Sequence, residues 1–161
     1  MKKLLCFMSF VLVISSSLMI SCASMKAPII NQIESIDGFK YVYITPTKEI
    51  TSGIMANSYG ITKTSNPSDL IAGILIKQGF IRLPELNSRL LDETLIVNYG
   101  ESGRRNVNLG YSIEVTIQFL SAKTNMPVCV CTAEGQGSTE ADDIRIAINR
   151  ALKPLFKTAN K

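Results

Sequence analysis

Histidine is absent from this chain of 161 residues. Imidazole is the commonest general base near neutral pH and the commonest metal ligand. Its absence therefore excludes Ser-His-Asp and Cys-His hydrolases, and any zinc or iron site built on histidine. Carboxylate, lysine and tyrosine chemistry remains open. We expect a protein that is not an enzyme and that requires no metal or cofactor.

Charge of either sign is also sparse. Lysine and arginine total 17 and aspartate and glutamate total 13, a formal net charge of +4. Nucleic-acid binding favours basic residues clustered on one face, and so small an excess gives no reason to expect a nucleic-acid partner. The length suits one domain with a two-layer core.

The N-terminus has the pattern of a cleaved export signal. A positive start, Met1-Lys2-Lys3, precedes an apolar run from Leu4 to Ile20 and the small residue Ser21. The next residue, Cys22, has the thiol that a diacylglyceryl group requires. This stretch resembles a lipobox, with Met19 where leucine is usual. We predict a signal peptide over 1–21, cleavage between Ser21 and Cys22, and a lipoprotein with palmitate on Cys22.

The alternative is an uncleaved N-terminal membrane helix, although the apolar run is at the short end of the roughly 17–25 residues that span a bilayer. Lys26 would then place positive charge on the exported side. Ala23 and Ser24 follow Cys22 where an inner-membrane retention signal would have aspartate. The sequence therefore predicts an anchor in the outer membrane, with the domain facing the periplasm.

The mature chain is predicted to have three parts: a tether over 22–36, one α+β envelope domain over 37–157, and a tail over 158–161. The domain begins with a β-rich segment, Phe39 to Ile44, that Pro46 ends. Residues 47–66 are predicted to form a long loop that can include a short pair of strands.

Two helices are predicted. Asn66 caps the first, Pro67 occupies its first position, Asp69 lies in its first turn and Gly79 ends it. Ser138 or Thr139 caps the second, which shows an apolar stripe at 3.6-residue spacing: Ile144, Ala147, Ile148, Ala151, Leu152 and Leu155.

Strands are predicted over 80–83, 94–99, 111–119 and 126–133. The clearest is 111–119, where apolar and polar residues alternate strictly, and it forms a hairpin with the strand that follows. The order β-α-β-β-β-β-α predicts a two-layer α+β fold, with two helices on one face of a mainly antiparallel sheet.

Residues 110–156 carry a resemblance to a known group of proteins. Phe119-Leu120-Ser121, a turn over 122–125, a return strand and Gly135-Gln136-Gly137-Ser138 before an alanine-rich helix resemble small outer-membrane lipoproteins of gram-negative bacteria whose function is unknown. They are more distantly similar to the periplasmic domains of the curli-secretion lipoprotein and of lipoproteins that activate peptidoglycan synthases. The resemblance implies an interaction module, and it implies no catalytic residue.

Cys129 and Cys131 are candidate redox thiols. Residues i and i+2 of a strand share a face with Cα atoms about 6.5 Å apart, near the upper limit for a disulfide. The pair also lacks the further ligands that a zinc site needs. Packing as two small buried side chains is the favoured interpretation, with an oxidised pair or an intermolecular disulfide as the alternatives.

Arg104 and Arg105 are candidate contacts for an anion or a partner, such as a phosphate or a cell-wall carboxylate. The surrounding segment, 100–105, is predicted as a flexible connection, so a solvated hairpin loop is the alternative.

These observations favour a lipid-anchored envelope protein whose domain is a binding or accessory module for a protein or cell-wall partner. A structural subunit of an outer-membrane assembly is the second hypothesis, with residues 47–66 and 100–109 mediating self-association. An enzyme that works without histidine is the third and least favoured.

Overall fold

A computed structural model describes residues 25–54, 61–107 and 110–157. The predicted signal peptide, the predicted cleavage site at Ser21 and Cys22, and the predicted tail over 158–161 lie outside these ranges. Within them the chain forms a six-stranded sheet, a separate two-stranded sheet and two α-helices. The predicted α+β class is confirmed.

Eight strands form the two sheets. The strands are β1 Ile29–Gln32, β2 Tyr41–Ile44, β3 Ile50–Ile54, β4 Ile61–Ser65, β5 Ile81–Arg82, β6 Thr94–Val107, β7 Gly110–Ser121 and β8 Pro127–Gly135. In the larger sheet the order is β1-β8-β7-β6-β2-β5, and its neighbours are antiparallel except that β2 runs parallel to β5 and to β6. The smaller sheet pairs β3 with β4 antiparallel.

Helix α1 spans Pro67–Lys77 and helix α2 spans Glu140–Lys157. The Asn66 side chain accepts a hydrogen bond from the Ser68 N–H at 3.1 Å, which is the predicted N-cap. Gly79 has φ of 96°, the left-handed conformation expected after a helix end. In the described ranges, neither helix is long and apolar enough to cross a bilayer.

The core lies between the helices and one face of the larger sheet. Alternate residues of β7 are fully buried on that face, where α2 packs across β7 and β8. These residues are Ile113, Val115, Ile117 and Phe119. The predicted alternation is thus the physical basis of the core, because side chains of a strand point to opposite faces in turn.

The predicted tether ends earlier than expected. Residues 29–32 form β1 and pair with β8, and Ile36 is buried in the core. Residues 29–36 therefore belong to the folded domain, and their assignment to a tether is wrong. The backbone N–H and C=O groups of an edge strand pair with a neighbour without needing a regular hydrophobic pattern, so periodicity does not reveal such a strand.

Two predicted loops contain strands. The segment 47–66 holds β3 and β4, the strand pair for which the prediction left room. The segment 100–105 lies inside β6, so the prediction of a flexible connection there is wrong. The register of β6 against β7 shifts between Glu101 and Gly103, as at a β-bulge. Pairing with β7 keeps the glycine-containing segment extended.

Candidate functional site

A buried carboxylate occupies the end of β8. Glu134 is 2% exposed, and the Arg105 guanidinium of β6 donates to both of its oxygens, at 3.0 and 2.8 Å. The backbone N–H of Lys26 donates to the same carboxylate at 3.0 Å. The Lys26 ammonium group lies 3.5 Å from a Glu134 carboxylate oxygen. Residues distant in the chain therefore meet at one acidic side chain.

Arg150 of α2 completes this cluster. Its guanidinium donates to the backbone carbonyls of Glu134 and of Lys26, the latter at 2.8 Å. We refer to Lys26, Arg105, Glu134 and Arg150 as the N-terminal clamp. The clamp fixes the backbone that leads into β1 against both the sheet and the second helix.

The clamp holds Glu134 in its ionised form. Hydrogen bonding from Arg105 lowers the pKa of Glu134 to about 2, against the opposing effect of burial. A charge removed from water is tolerated only when it is paired and hydrogen-bonded. The bidentate geometry with Arg105 meets that requirement.

The two candidate arginines separate to opposite faces of β6. Arg105 joins the clamp, whereas Arg104 forms an ion pair with Glu140 at the start of α2 and lies 3.7 Å from Glu101. The Arg104 guanidinium also lies over the Tyr111 ring, 5.3 Å from its centre. Each guanidinium thus contacts a carboxylate of this chain. Contact with an external anion or partner stays a prediction.

The candidate thiols lie in the core. Cys129 and Cys131 are buried on the helix-facing side of β8 with their Sγ atoms 3.7 Å apart, and no disulfide joins them. The hydrogen bond with Cys129, together with burial, raises the pKa of the Cys131 thiol. This geometry fits two packed hydrophobic side chains, and redox activity stays a prediction.

An open groove of about 530 Å³ lies between β4 and the two helices, and seven of its nine lining residues are polar or charged. Both helix starts contribute to it: Asn66 caps α1, and Ala141 belongs to the first turn of α2. We call it the polar groove. Its lining consists of Lys63, Thr64, Ser65, Asn66, Asp69, Leu70, Ala141, Asp142 and Arg145.

A second buried carboxylate, Asp142, lies at the base of this groove. Lys63 of β4 contacts it at 2.6 Å, and Arg145 and Ser138 donate to it, each at 2.8 Å. The hydrogen bond from Lys63 is the largest of the effects that lower the pKa of Asp142 well below its usual range. The helix N-terminus also favours an anion there.

The neighbouring acid behaves differently. Burial raises the pKa of Asp143, although the backbone N–H of Gly137 donates to its carboxylate.

Thr139 caps the N-terminus of α2, because its hydroxyl accepts a hydrogen bond from the Asp142 N–H at 3.2 Å. One of the two predicted cap residues is therefore confirmed.

Neither the clamp nor the groove is predicted by the sequence. Asp142 carries a detectable signal, its place in the first turn of a helix, but its contact with Lys63 joins residues far apart in the chain. Glu134 carries less: it follows Thr132 at alternate positions near the end of β8, which predicts an outward side chain without showing what covers it. In the described parts of the chain, no three acidic or cysteine side chains are grouped closely enough to hold a metal ion.

Comparisons with known proteins give a limited result. No protein-family model and no curated protein matches the chain. Among solved structures, the chain is similar to a PelC variant from Paraburkholderia phytofirmans, a dodecamer, with 16% identity, a TM-score of 0.46, and coverage of 80% of this chain and 96% of that one. A second PelC dodecamer from the same organism matches with 14% identity, a TM-score of 0.43 and the same coverage.

Proposed function

We propose that this chain is a lipid-anchored protein of the outer membrane that faces the periplasm and binds a partner through the polar groove, without catalysing a reaction. The N-terminal pattern that ends at Cys22 supports the anchor. The position of β1 supports it further, because the folded domain begins only a few residues after that cysteine.

The polar groove carries the binding part of the proposal. Ser65 lines it with a buried hydroxyl that has no hydrogen-bond partner among the residues the structure describes. Buried polar groups normally have such a partner, so the groove wall contains one unsatisfied polar group, although its oxygen is covered and does not face the groove. Lys63 and Arg145, which are both paired with Asp142, keep exposed donor groups beside it, and these suit a partner rich in hydrogen-bond acceptors, such as a protein loop or a cell-wall polymer.

The electrostatics support binding more than catalysis. A general acid or base works best with a pKa near the operating pH. The pKa values of Glu134 and Asp142 are instead lowered by hydrogen bonds from Arg105 and Lys63, so both carboxylates stay ionised near neutral pH. Such groups hold structure and present charge, and they are poor proton-transfer groups.

Site-specific photocrosslinking in native membranes tests this proposal. A photoreactive amino acid replaces Thr64, an exposed residue of the groove lining, and in a matched protein it replaces Thr124, which is exposed in the β7–β8 turn. We expect a discrete adduct from position 64 that is absent from position 124. It should weaken when Lys63 and Arg145 are changed to alanine. Equal adduct patterns from both positions would contradict binding in the groove.

Self-assembly is the alternative, and an open sheet edge favours it. β1 pairs with β8 on one side, and among the described strands none pairs with its other side. Ile29 and the following Ile33 are large exposed apolar residues, at 55% and 64%. Exposed edge strands are templates for pairing with another chain. Sedimentation at micromolar concentration distinguishes the two functions, since a monomer would count against assembly.

A further inference from the structure

The N-terminal clamp lies at one end of the larger sheet. β8 ends beside it, and β6 and β7 extend past that end, because Ile113 is the first β7 residue paired with β8, opposite Gly135. The ion pair between Arg104 and Glu140 brings the start of α2 to the same place. We call this region the hairpin end of the domain. The β7–β8 turn over 122–125 lies at the other end.

The clamp leaves little chain between the domain and the proposed anchor. Four residues lead from Cys22 to Lys26, and a fully extended chain spans at most about 3.6 Å per residue. The clamp therefore cannot lie more than about 14 Å from the anchored cysteine. The sheet is much longer, since β7 alone has 12 residues with a rise of about 3.3 Å each. So short a connection keeps the clamp end of the sheet close to the lipid surface, and it sets no such limit on the far end.

The side chains at the hairpin end suit the membrane boundary. Lys26, Arg104 and Tyr111 are 61%, 52% and 37% exposed there. Tyrosine is enriched where a protein meets the headgroup region, and basic side chains reach lipid phosphates. The carboxylates of Glu101, Glu114 and Glu140 outnumber these two cations. The short connection therefore favours this orientation, and net charge attraction to the lipid adds nothing to it.

We infer that the hairpin end, with Lys26, Arg104 and Tyr111, faces the bilayer that holds the Cys22 lipid, and that the clamp fixes this orientation. The inference rests on the proposed lipid anchor. Because α2 starts at this end, the polar groove then opens close to the lipid surface, and the β7–β8 turn points away from it.

Fluorescence quenching on the full, lipidated protein tests the orientation. Two variants, Asn106→Cys at the hairpin end and Lys123→Cys in the β7–β8 turn, are labelled with the same fluorophore at exposed positions. Each is reconstituted into phosphatidylethanolamine–phosphatidylglycerol vesicles with a quencher on the lipid headgroup. The protein without an added cysteine measures any background from the buried thiols at 129 and 131.

We expect quenching at position 106 to exceed that at position 123 by about threefold or more, since the labels are separated by roughly 33 Å along the sheet. Equal quenching, or stronger quenching at position 123, would overturn the inferred orientation. Intact mass and vesicle flotation are measured on the same samples. A chain without lipid that fails to float refutes the anchor itself, which is a different result from a floating chain with equal quenching.

A clamp variant tests the cause of the orientation. Glu134→Gln removes the charge that holds Arg105 and the Lys26 backbone, and Glu114→Gln is the matched control, because Glu114 lies 3.9 Å from Lys26 and accepts no hydrogen bond from its backbone. We expect the difference between positions 106 and 123 to shrink at least twofold in Glu134→Gln and to persist in Glu114→Gln, with both proteins still floating. An unchanged difference in Glu134→Gln would refute the role of the clamp.

Discussion

The N-terminal clamp and the polar groove are each built on a buried carboxylate, but they use it differently. Glu134 is enclosed by Arg105, Arg150 and the backbone of Lys26, which come from three separate parts of the chain. Asp142 lies under the exposed cations Lys63 and Arg145, at the base of an open groove. The first arrangement uses its charge to close the fold, and the second presents its charges to solvent.

Because of this difference, we expect the clamp to contribute to stability and the groove to contribute to binding. An ion pair that is removed from water is costly to break, because the remaining charge has lost both its partner and its hydration. An exposed pair contributes little, because water replaces the partner. We therefore expect changes in the clamp to act on folding, and changes to the groove cations to act on partner binding.

The largest expected effect is that of Glu134→Ala. It removes the acceptor for Arg105 and for the Lys26 N–H, and we expect the free energy of unfolding at pH 7 to fall by about 3 kcal/mol, the lower end for a broken buried pair because Arg105 is partly exposed. Urea denaturation followed by circular dichroism measures it on a soluble form without residues 1–22. Glu114→Ala, the control, should lose less than about 1 kcal/mol. Similar losses in both variants would show that the clamp does not stabilise the fold.

Acid titration gives the second effect. The pKa of Glu134 is lowered to about 2 in the folded protein, whereas an unfolded glutamate titrates near 4.3. A lowered folded pKa stabilises the protein above the unfolded pKa. That contribution is lost as the pH falls from about 5 towards 2.

Wild type and Glu134→Gln should therefore converge in stability over this acidic range. With solvent screening allowed for, we expect the gap between them to narrow by on the order of 1–2 kcal/mol. Denaturant unfolding at a series of pH values measures the gap. A constant difference from pH 7 to pH 3 would mean that the charge of Glu134 does not contribute to stability.

The smallest effect is expected in the groove. Lys63→Ala and Arg145→Ala should each change the free energy of unfolding by about 1 kcal/mol, because the two side chains are 43% and 54% exposed and each variant leaves Asp142 with two other hydrogen-bond donors. The same variants should abolish most of the crosslinked adduct from position 64. A loss of stability as large as that of Glu134→Ala would place the groove cations with the clamp and remove the contrast between the two regions.

The local parts of the fold are predictable from sequence. Helix α1 begins directly after Asn66 and ends two residues before Gly79, because caps satisfy backbone groups within a few residues. The strict alternation around Ile117 identifies β7 and its buried face. By contrast, the sequence predicts a tether in place of β1 and a loop in place of the glycine-containing half of β6, because both are extended by pairing with a distant neighbour.

The candidate sites also combine features that the local sequence predicts with contacts that it does not predict. Arg104 and Arg105 attract attention in the sequence as adjacent cations, but strand alternation sends them to different faces, where Glu140 and Glu134 contact them. No spacing in the sequence connects those carboxylates to these arginines. Asp142 and Lys63 are separated in the same way, so the polar groove has no signature in the chain.

The sequence by itself determined the predicted export signal, the caps of the helices, the alternating core strand and the α+β class. Each depends on interactions between residues that are near in the chain or that repeat with the period of a helix or strand. The tertiary structure alone decided the pairing of β1, the closure of the clamp around Glu134 and the charges that line the groove. Those features require groups that are far apart in sequence to meet, and only the packing of the sheet and helices brings them together.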